Sequence, residues 1–383
     1  MTQAPGPGPI SPAAPSRLAL RRATAYALFV FDLGQGVDLE SCRRRLASGT
    51  GQALIKGKRR APRHFQFETP PLTISARSPA LTVGEHATAS GADVLLYDFG
   101  AVTVTYAIPF AGDVERLVEL SCALADDETL LADARRQVEQ LMAAAGDAIH
   151  LPRHSELVED YFLFHVCEPE GGLSPEAACG AHAQDLARVL RAEPGVLSQA
   201  EVADALAQRI SYGLDDLVLV DWNAAWILDH EADDARAVLE FANVQLLEMR
   251  FLDQRLDRQL DRAYEYLSGG GSGWRPGALR FRSDLRPVAQ MQVDGAILFE
   301  RVGNALKLIG DPYLARVYRL AAQRFRLGEW NAGILRKLDA MESIYQKISD
   351  RASTRRLELL EWIIILLIAV SIALPFVQGK VGH

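Results

Sequence analysis

The spacing of apolar residues changes near the middle of this chain. Before residue 170, short apolar runs and alternations of period two are interleaved with stretches in which apolar residues recur every three or four positions. Period two is typical of half-buried strands, and spacings of three and four are typical of amphipathic helices. The pattern therefore predicts an α+β domain over residues 20–170.

The clearest signal within that domain is a pair of apolar segments at residues 94–98 and 102–108, with Phe99 and Gly100 at the bend between them. Two apolar runs joined by a short glycine-containing link predict a β-hairpin. Further strands are expected at residues 26–33 and 161–167. Helices are expected at residues 38–47, 113–122 and 129–145.

Longer helical periods follow in the second half of the chain. Residues 198–211 predict a helix with Ser198 as its N-cap, and residues 217–229 predict a short hairpin. From residue 239 to 267 apolar residues step by three and four with one interruption at Asp253, and residues 334–352 repeat that spacing. We expect a helical region over residues 198–352 with coiled-coil-like packing, interrupted by a flexible glycine-rich loop near 268–277.

Each of these two tracts has an apolar seam that needs a partner. We favour packing of one tract against the other within the chain, because a parallel homodimer would place two Asp253 carboxylates together. A homo-oligomeric coiled coil is the alternative.

The chain closes on an apolar run from Trp362 to Val377, in which Ser371 is the only polar residue. A helix that is apolar all round and approaches twenty residues is typical of a membrane span. The run predicts one transmembrane helix over residues 359–377. Its predicted membrane-anchor residues are Trp362, Ile363, Ile364, Ile365, Leu366, Leu367 and Ile368.

Charge around this run predicts a membrane topology. Four basic residues between Lys347 and Arg356 precede it, and Lys380 follows it. The positive-inside rule then places the body of a single-pass protein in the cytoplasm, or in the matrix if the membrane is organellar. A buried C-terminal helix of a soluble domain is the alternative interpretation.

Charge is also uneven along the rest of the chain. Residues 1–64 contain eleven Lys or Arg and three Asp or Glu, whereas the whole chain has a net charge of −8. Residues 1–19 are rich in proline and small residues and predict a disordered tail. A basic segment then follows the first predicted helix. Its charge is typical of a segment that binds an anionic lipid or RNA, and a solvated loop is the alternative interpretation. Its candidate contact residues are Lys56, Lys58, Arg59, Arg60 and Arg63.

Two clusters contain residue types that bind metals. One is histidine-rich, and Pro152 between its first two histidines argues against a shared helical face. The other is acidic, extends from Asp215 to Asp234, and suits a divalent cation or acid–base chemistry as well as it suits helix capping. The first cluster comprises His150, His154, Glu156, Glu159, Asp160 and His165. The second comprises Asp215, Asp216, Asp221, Asp229, Glu231, Asp233 and Asp234.

Two stretches resemble a known family. The segments "STRRLEL" and "LEWIIILLI" near the C-terminus, and the strand pair "VLLYDFGAVTVTYAI", are similar to the family named for a role in meiotic nuclear division. That resemblance implies a protein with a C-terminal membrane anchor and no assigned catalytic reaction. Its eukaryotic relatives lie in the mitochondrial inner membrane and support organellar translation.

The sequence as a whole predicts an α+β fold in which a mixed strand and helix domain is followed by long helices and one C-terminal transmembrane helix. No nucleophile elbow, phosphate-binding loop or zinc-protease motif is present in the sequence. We therefore expect a non-enzymatic scaffold, without a cofactor, that tethers a protein partner at the inner face of a lipid bilayer. The alternatives are a metal-dependent enzyme that uses the acidic cluster, and a ribosome- or nucleic-acid-binding protein that uses the basic segment.

Overall fold

A computed structural model provides the structure of this protein. It describes residues 18–48, 53–54, 69–153, 155–268, 310–344, 346–347, 361–362 and 364–365. Contacts divide the chain into two compact units. Unit 1 contains residues 1–248 and 301–328, and unit 2 contains residues 249–300 and 329–383.

The described part of unit 1 is built on one large sheet of nine strands. In sequence order these are β1 (Ala19–Asp32), β3 (Ala53–Leu54), β4 (Leu72–Ala76), β7 (Ala92–Leu96), β8 (Ala101–Asp113), β10 (Val158–Pro169), β11 (Arg209–Ile210), β12 (Leu217–Val220) and β13 (Ala224–Leu228). Their order across the sheet is β11-β12-β13-β10-β1-β8-β7-β4-β3. Two small ribbons pair β2 (Gly36–Val37) with β9 (Ile149–His150), and β5 (Thr82–Val83) with β6 (His86–Ala87).

Helices cover both faces of the sheet. The helices of unit 1 that end before β13 are α1 (Leu39–Ser48), α2 (Val114–Ala125), α3 (Glu128–Ala145), α4 (Pro175–Cys179), α5 (Ala183–Arg191) and α6 (Gln199–Ala205). Of these, α1, α2, α3 and α5 contact strands of the sheet, and their apolar side chains share one core with Ala27, Phe29 and Phe31 of β1. The opposite face is covered by the first turns of α7 (Asp233–Ser268) and by α8 (Pro312–Arg324).

Burial on both faces explains why the central strands read as continuous apolar runs. In β1, Phe29 and Phe31 point to the α2–α3 side, while Leu28 and Val30 point to the other, and all four are less than 5 % exposed. Strands that lie between two helical layers lose the alternation of apolar and polar residues.

The sheet requires a correction to the predicted fold class. The hairpin expected within a helical C-terminal half is β12 and β13, and β13 pairs in parallel with β10, so these strands extend the main sheet. The fold is therefore a mixed α/β arrangement around one large sheet rather than a strand domain followed by helices. Pairing between β10 and β13 joins segments some sixty residues apart (Phe162 opposite Ala224), and local periodicity contains no information on such a contact.

A second correction concerns the C-terminus. In the part of the chain that the structure describes, no helix combines the length and apolar character needed to cross a membrane. A span needs about twenty consecutive apolar residues, whereas α7, which has 36 residues, contains charged side chains in most of its turns. This finding contradicts the predicted transmembrane helix at 359–377 and the single-pass membrane localisation that depended on it, and most of that segment lies outside the described residues. Trp362, Ile364 and Ile365 are helical and exposed, and the other predicted anchor residues lie outside the described residues.

Unit 2 contains the part of α7 from Met249 onwards and helical residues 329–344 of α9, the helix formed by residues 327–344. Leu256 is fully buried, and Ala263 forms a small apolar cluster with Ile344 and the partly buried Leu260. The two heptad tracts therefore contact each other within one chain, as the sequence predicted.

Candidate functional site

The helix α8 has two contrasting faces. Asp311 caps its N-terminus by accepting hydrogen bonds from the backbone N–H groups of Tyr313, at 2.6 Å, and Leu314, at 3.1 Å. Leu314, Val317, Tyr318 and Ala321 are buried, and the helix contacts β11 and β12. The outer face exposes Arg316 and Arg319, and Arg326 is exposed just beyond the last turn. Arg316 and Arg319 are three positions apart and lie on one helical face, whereas Arg326 follows the end of the helix at a positive φ of 53°. These three arginines are called the row below.

Aromatic rings lie at the N-terminal end of this row. The rings of Tyr212 and Tyr313 meet edge to face, with their centroids 5.5 Å apart, and the Arg316 guanidinium lies 5.9 Å from the Tyr313 ring centroid. Tyr212 is 78 % exposed. The Tyr313 hydroxyl donates to Asp216 at 3.2 Å, and burial raises the pKa of this tyrosine.

Another aromatic ring lies at the C-terminal end. Trp222 occupies the turn between β12 and β13 and is 40 % exposed. The guanidinium groups of Arg324 and Arg326 lie 5.1 and 5.2 Å from its ring centroid. Cation–π contacts at this distance hold an exposed indole in place. Hereafter, the aromatic–arginine surface means the set Tyr212, Trp222, Tyr313, Arg316, Arg319 and Arg326.

A buried ion network supports this surface from below. The Asp221 side chain is 1 % exposed, and its carboxylate contacts Arg191 Nε at 2.6 Å and Arg324 Nε at 2.8 Å. Arg324 also donates to Asp204 at 2.7 Å, and this hydrogen bond lowers the pKa of Asp204 to about 2. The network ties α5, α6, α8 and the β12–β13 turn together, so it fixes the backbone on which Trp222 and Arg326 stand.

Tyr161 of β10 completes the base of the network. Its hydroxyl donates to the Asp221 carbonyl oxygen at 3.1 Å, and its ring meets Phe325 edge to face with the centroids 5.4 Å apart. Burial raises the pKa of Tyr161 well above its usual value, so the hydroxyl remains a proton donor.

The acidic cluster predicted from the sequence does not converge on one point. Asp221 is buried in its ion pairs, whereas Asp215 and Glu231 are exposed. Asp216 accepts a hydrogen bond from the Tyr212 backbone N–H at 2.7 Å. The remaining acids hold a turn or the start of a helix: Asp229 accepts from the Glu231 backbone at 3.1 Å, and Asp233 pairs with Arg236 at 3.4 Å.

The histidine-rich cluster is also dispersed. His150 is exposed in β9, His165 is buried in β10, and His154 lies outside the described residues. Glu159 and Asp160 are neighbours in β10 and point to opposite faces of the sheet. Among the residues that the structure describes, no group of three or more His, Cys, Asp or Glu side chains is placed to hold a metal ion.

The predicted basic segment remains a prediction. Lys56, Lys58, Arg59, Arg60 and Arg63 lie outside the described residues. The preceding arginines, at positions 43–45, are exposed on α1, and Arg45 pairs with Asp147 at 3.3 Å.

Sequence reasoning missed the arginines that build the site. The sequence predicts a hairpin over residues 217–229, but it does not single out Trp222 within it, and it does not single out Arg191, Arg316 or Arg324. A signal was present in α8, because its apolar positions leave basic residues alone on the opposite face. The pairing of Arg324 with Asp221 joins positions 103 residues apart and has no local signal.

The comparisons with known proteins identify relatives of unknown function. A family model described as "Uncharacterized protein MJ0711, N-terminal domain" matches residues 22–235. The uncharacterized protein MJ0711 of Methanocaldococcus jannaschii is 23 % identical over 243 residues, which cover 63 % of this chain and 73 % of that protein. No solved structure matches this chain.

These matches overturn the resemblance to the meiotic nuclear division family. That resemblance depended on a terminal apolar run and on two apolar strands joined through a glycine, a pattern that any tight turn between buried strands favours. The match extends from β1 to the start of α7 and therefore includes most of the sheet. The chain belongs to the family of the uncharacterized protein MJ0711 N-terminal domain.

Proposed function

We propose that this protein is a non-enzymatic scaffold that binds a macromolecular partner through the aromatic–arginine surface. The observation that carries the proposal is the row of exposed Arg316, Arg319 and Arg326 with an exposed aromatic ring at each end. Arginine, tyrosine and tryptophan are the side chains enriched at binding hot spots, because each combines a large contact area with a polar group.

The state of the acidic residues favours this proposal over a metal-dependent enzyme. A catalytic carboxylate must face substrate or a metal, whereas Asp221 faces two arginines and Asp216 faces the backbone of its own loop. Their charges stabilise the frame beneath the aromatic–arginine surface. The acids therefore support a rigid surface, which is what a binding protein needs.

Affinity purification from the native host tests this proposal. The full chain, a variant with Arg316→Glu and Arg319→Glu, and the control Arg135→Glu would be purified in parallel and their co-purifying molecules compared. Arg135 is an exposed helical arginine on α3, on the other side of the sheet. We expect a stoichiometric partner with the wild type and the control that is lost from the double variant. Identical co-purification with all three proteins would refute the proposal.

A further inference from the structure

We infer that the partner of the aromatic–arginine surface is single-stranded nucleic acid. This inference rests on the proposed function and names the chemical class of the partner. The surface combines the two features that recognise unpaired nucleotides. Aromatic rings stack on exposed bases, and a row of cations follows the phosphate backbone.

The rings are accessible for stacking. Tyr212 and Trp222 are 78 % and 40 % exposed. Tyr212 meets Tyr313 edge to face, and Trp222 is oriented by the guanidinium groups of Arg324 and Arg326. A ring that is already oriented loses little conformational freedom when a base stacks on it. Stacking requires an unpaired base with a free face, so the rings favour a single strand over a duplex.

The arginines supply the charge between the rings. Arg316 and Arg319 are exposed on the outer face of α8, and Arg326 is exposed beside Trp222. Two acidic side chains at the N-terminal end of α8 make contacts of their own: Asp311 caps α8, and Asp216 accepts from its loop backbone and from the Tyr313 hydroxyl. Phosphate suits a guanidinium because it accepts two parallel hydrogen bonds.

The length of the surface matches a short oligonucleotide. The helix α8, which carries Tyr313, Arg316 and Arg319 of the surface, has 13 residues, so it is about 20 Å long at the helical rise of ~1.5 Å per residue. That distance equals roughly six stacked nucleotides at ~3.4 Å each. An acidic peptide would use the arginines but would leave the rings without a base to stack on.

Fluorescence anisotropy with labelled oligonucleotides of about twelve nucleotides tests the inference. Single-stranded RNA, single-stranded DNA of the same sequence and the corresponding duplex would be titrated with the full chain. We expect both single strands, or RNA alone, to bind more tightly than the duplex. With three phosphate contacts, the logarithm of affinity should fall against the logarithm of salt concentration with a slope of about −2.

Variants connect that binding to the surface. Arg316→Glu with Arg319→Glu, and separately Trp222→Ala, should each weaken single-strand binding about tenfold or more. Trp222→Phe should bind nearly as the wild type, because it keeps an aromatic ring, and Arg135→Glu should match the wild type. Thermal melting by circular dichroism would verify that each variant folds. If Trp222→Ala does not fold, the comparison of Trp222→Phe with the wild type still tests the role of the aromatic ring.

Several outcomes would overturn the inference. These are no binding of either single strand, equal binding of single strand and duplex, and equal affinity of Arg135→Glu and the double arginine variant. A poly-glutamate peptide or phosphatidylserine vesicles that bind through this surface, when oligonucleotides do not, would identify another occupant. If co-purification of a partner still depends on Arg316 and Arg319, the scaffold proposal stands although the nucleic-acid inference has failed.

Discussion

At the scale of single residues, the bend between β7 and β8 depends on one glycine. Gly100 has a φ of +101°, and a Cβ atom there would overlap the carbonyl oxygen of Gly34. The Leu33 backbone N–H donates to the Gly100 carbonyl at 2.8 Å, so the two loops are held against each other. Both backbone conformation and space therefore require glycine at position 100.

A pair of alanine substitutions separates these two requirements. Gly172 also has a positive φ, +79°, but among the described residues no atom lies within 4 Å of an added Cβ. Gly172→Ala should cost about 1–2 kcal/mol from backbone strain alone. Gly100→Ala should cost roughly 3–5 kcal/mol, because overlap adds to strain. Urea unfolding measures both, and equal losses of stability would contradict the proposed contact.

The second residue-scale feature is the buried carboxylate of Asp221. Its removal leaves two arginines in a poorly solvated place without their anion. Asp221→Ala should therefore lower the free energy of unfolding by about 3–5 kcal/mol. Asp204→Ala is the matched control: its side chain is 54 % exposed, so it should cost about 1 kcal/mol or less. If Asp221→Ala lowers the free energy of unfolding less than Asp204→Ala does, the buried ion pairs do not stabilise the fold.

At the scale of secondary-structure elements, the polar interruption in the α7 heptads has a partner. Lys337 Nζ lies 2.6 Å from Asp253 and 2.7 Å from Asp257. One lysine thus bridges two carboxylates that are one helical turn apart. The seam position that looked unfavourable in the sequence is a contact with the second tract, which supports packing within the chain.

This contact yields a prediction for the helix pair. Leu256 is fully buried, whereas Leu260 is only partly buried against Ala263 and Ile344. Leu256→Ala should cost about 2–5 kcal/mol, and Leu260→Ala should cost less. Chemical denaturation of the full chain measures the difference. Light scattering tests the alternative, in which the tracts pair between two chains. A molar mass that falls on dilution would favour that alternative.

At the scale of the whole molecule, several described groups make stability fall in acid, and His165 and Asp204 are two of them. Burial lowers the pKa of His165, which donates from Nε2 to the Asp229 carbonyl at 2.9 Å, and a hydrogen bond from Arg324 lowers that of Asp204. In both cases the unfolded state binds a proton more readily than the folded state, so stability rises with pH.

The two groups act in different pH windows. The contribution of His165 is present above its unfolded pKa of about 6.5 and is lost as the pH falls through its lower folded value. The contribution of Asp204 is present above its unfolded pKa of about 4. It is lost as the pH falls towards its folded pKa of about 2. Melting temperatures between pH 8 and pH 2 should show both steps. His165→Gln should remove only the first, and an unchanged profile would contradict this assignment.

Local patterns predicted most elements of unit 1 because their physical causes are local. The bend at Gly100 follows from a glycine between two apolar runs, and Ser198 caps α6 by accepting from the Glu201 backbone at 3.2 Å, as the sequence predicted. The helix expected to continue to residue 211 ends at Ala205, because Arg209 and Ile210 pair with β12 instead. Pairing with a distant strand overrides helical spacing in that segment.

Whether a feature is predictable from the sequence therefore depends on how far apart in the chain the interacting residues lie. Periodicity and capping are properties of neighbouring residues, and the sequence determined the strands, the helices and the apolar seam of α7 through them. The parallel pairing of β10 with β13, the ion pairs of Asp221 and the arrangement of the aromatic–arginine surface join residues that are far apart in the chain. Only the tertiary structure decides those contacts, because they depend on which elements pack together.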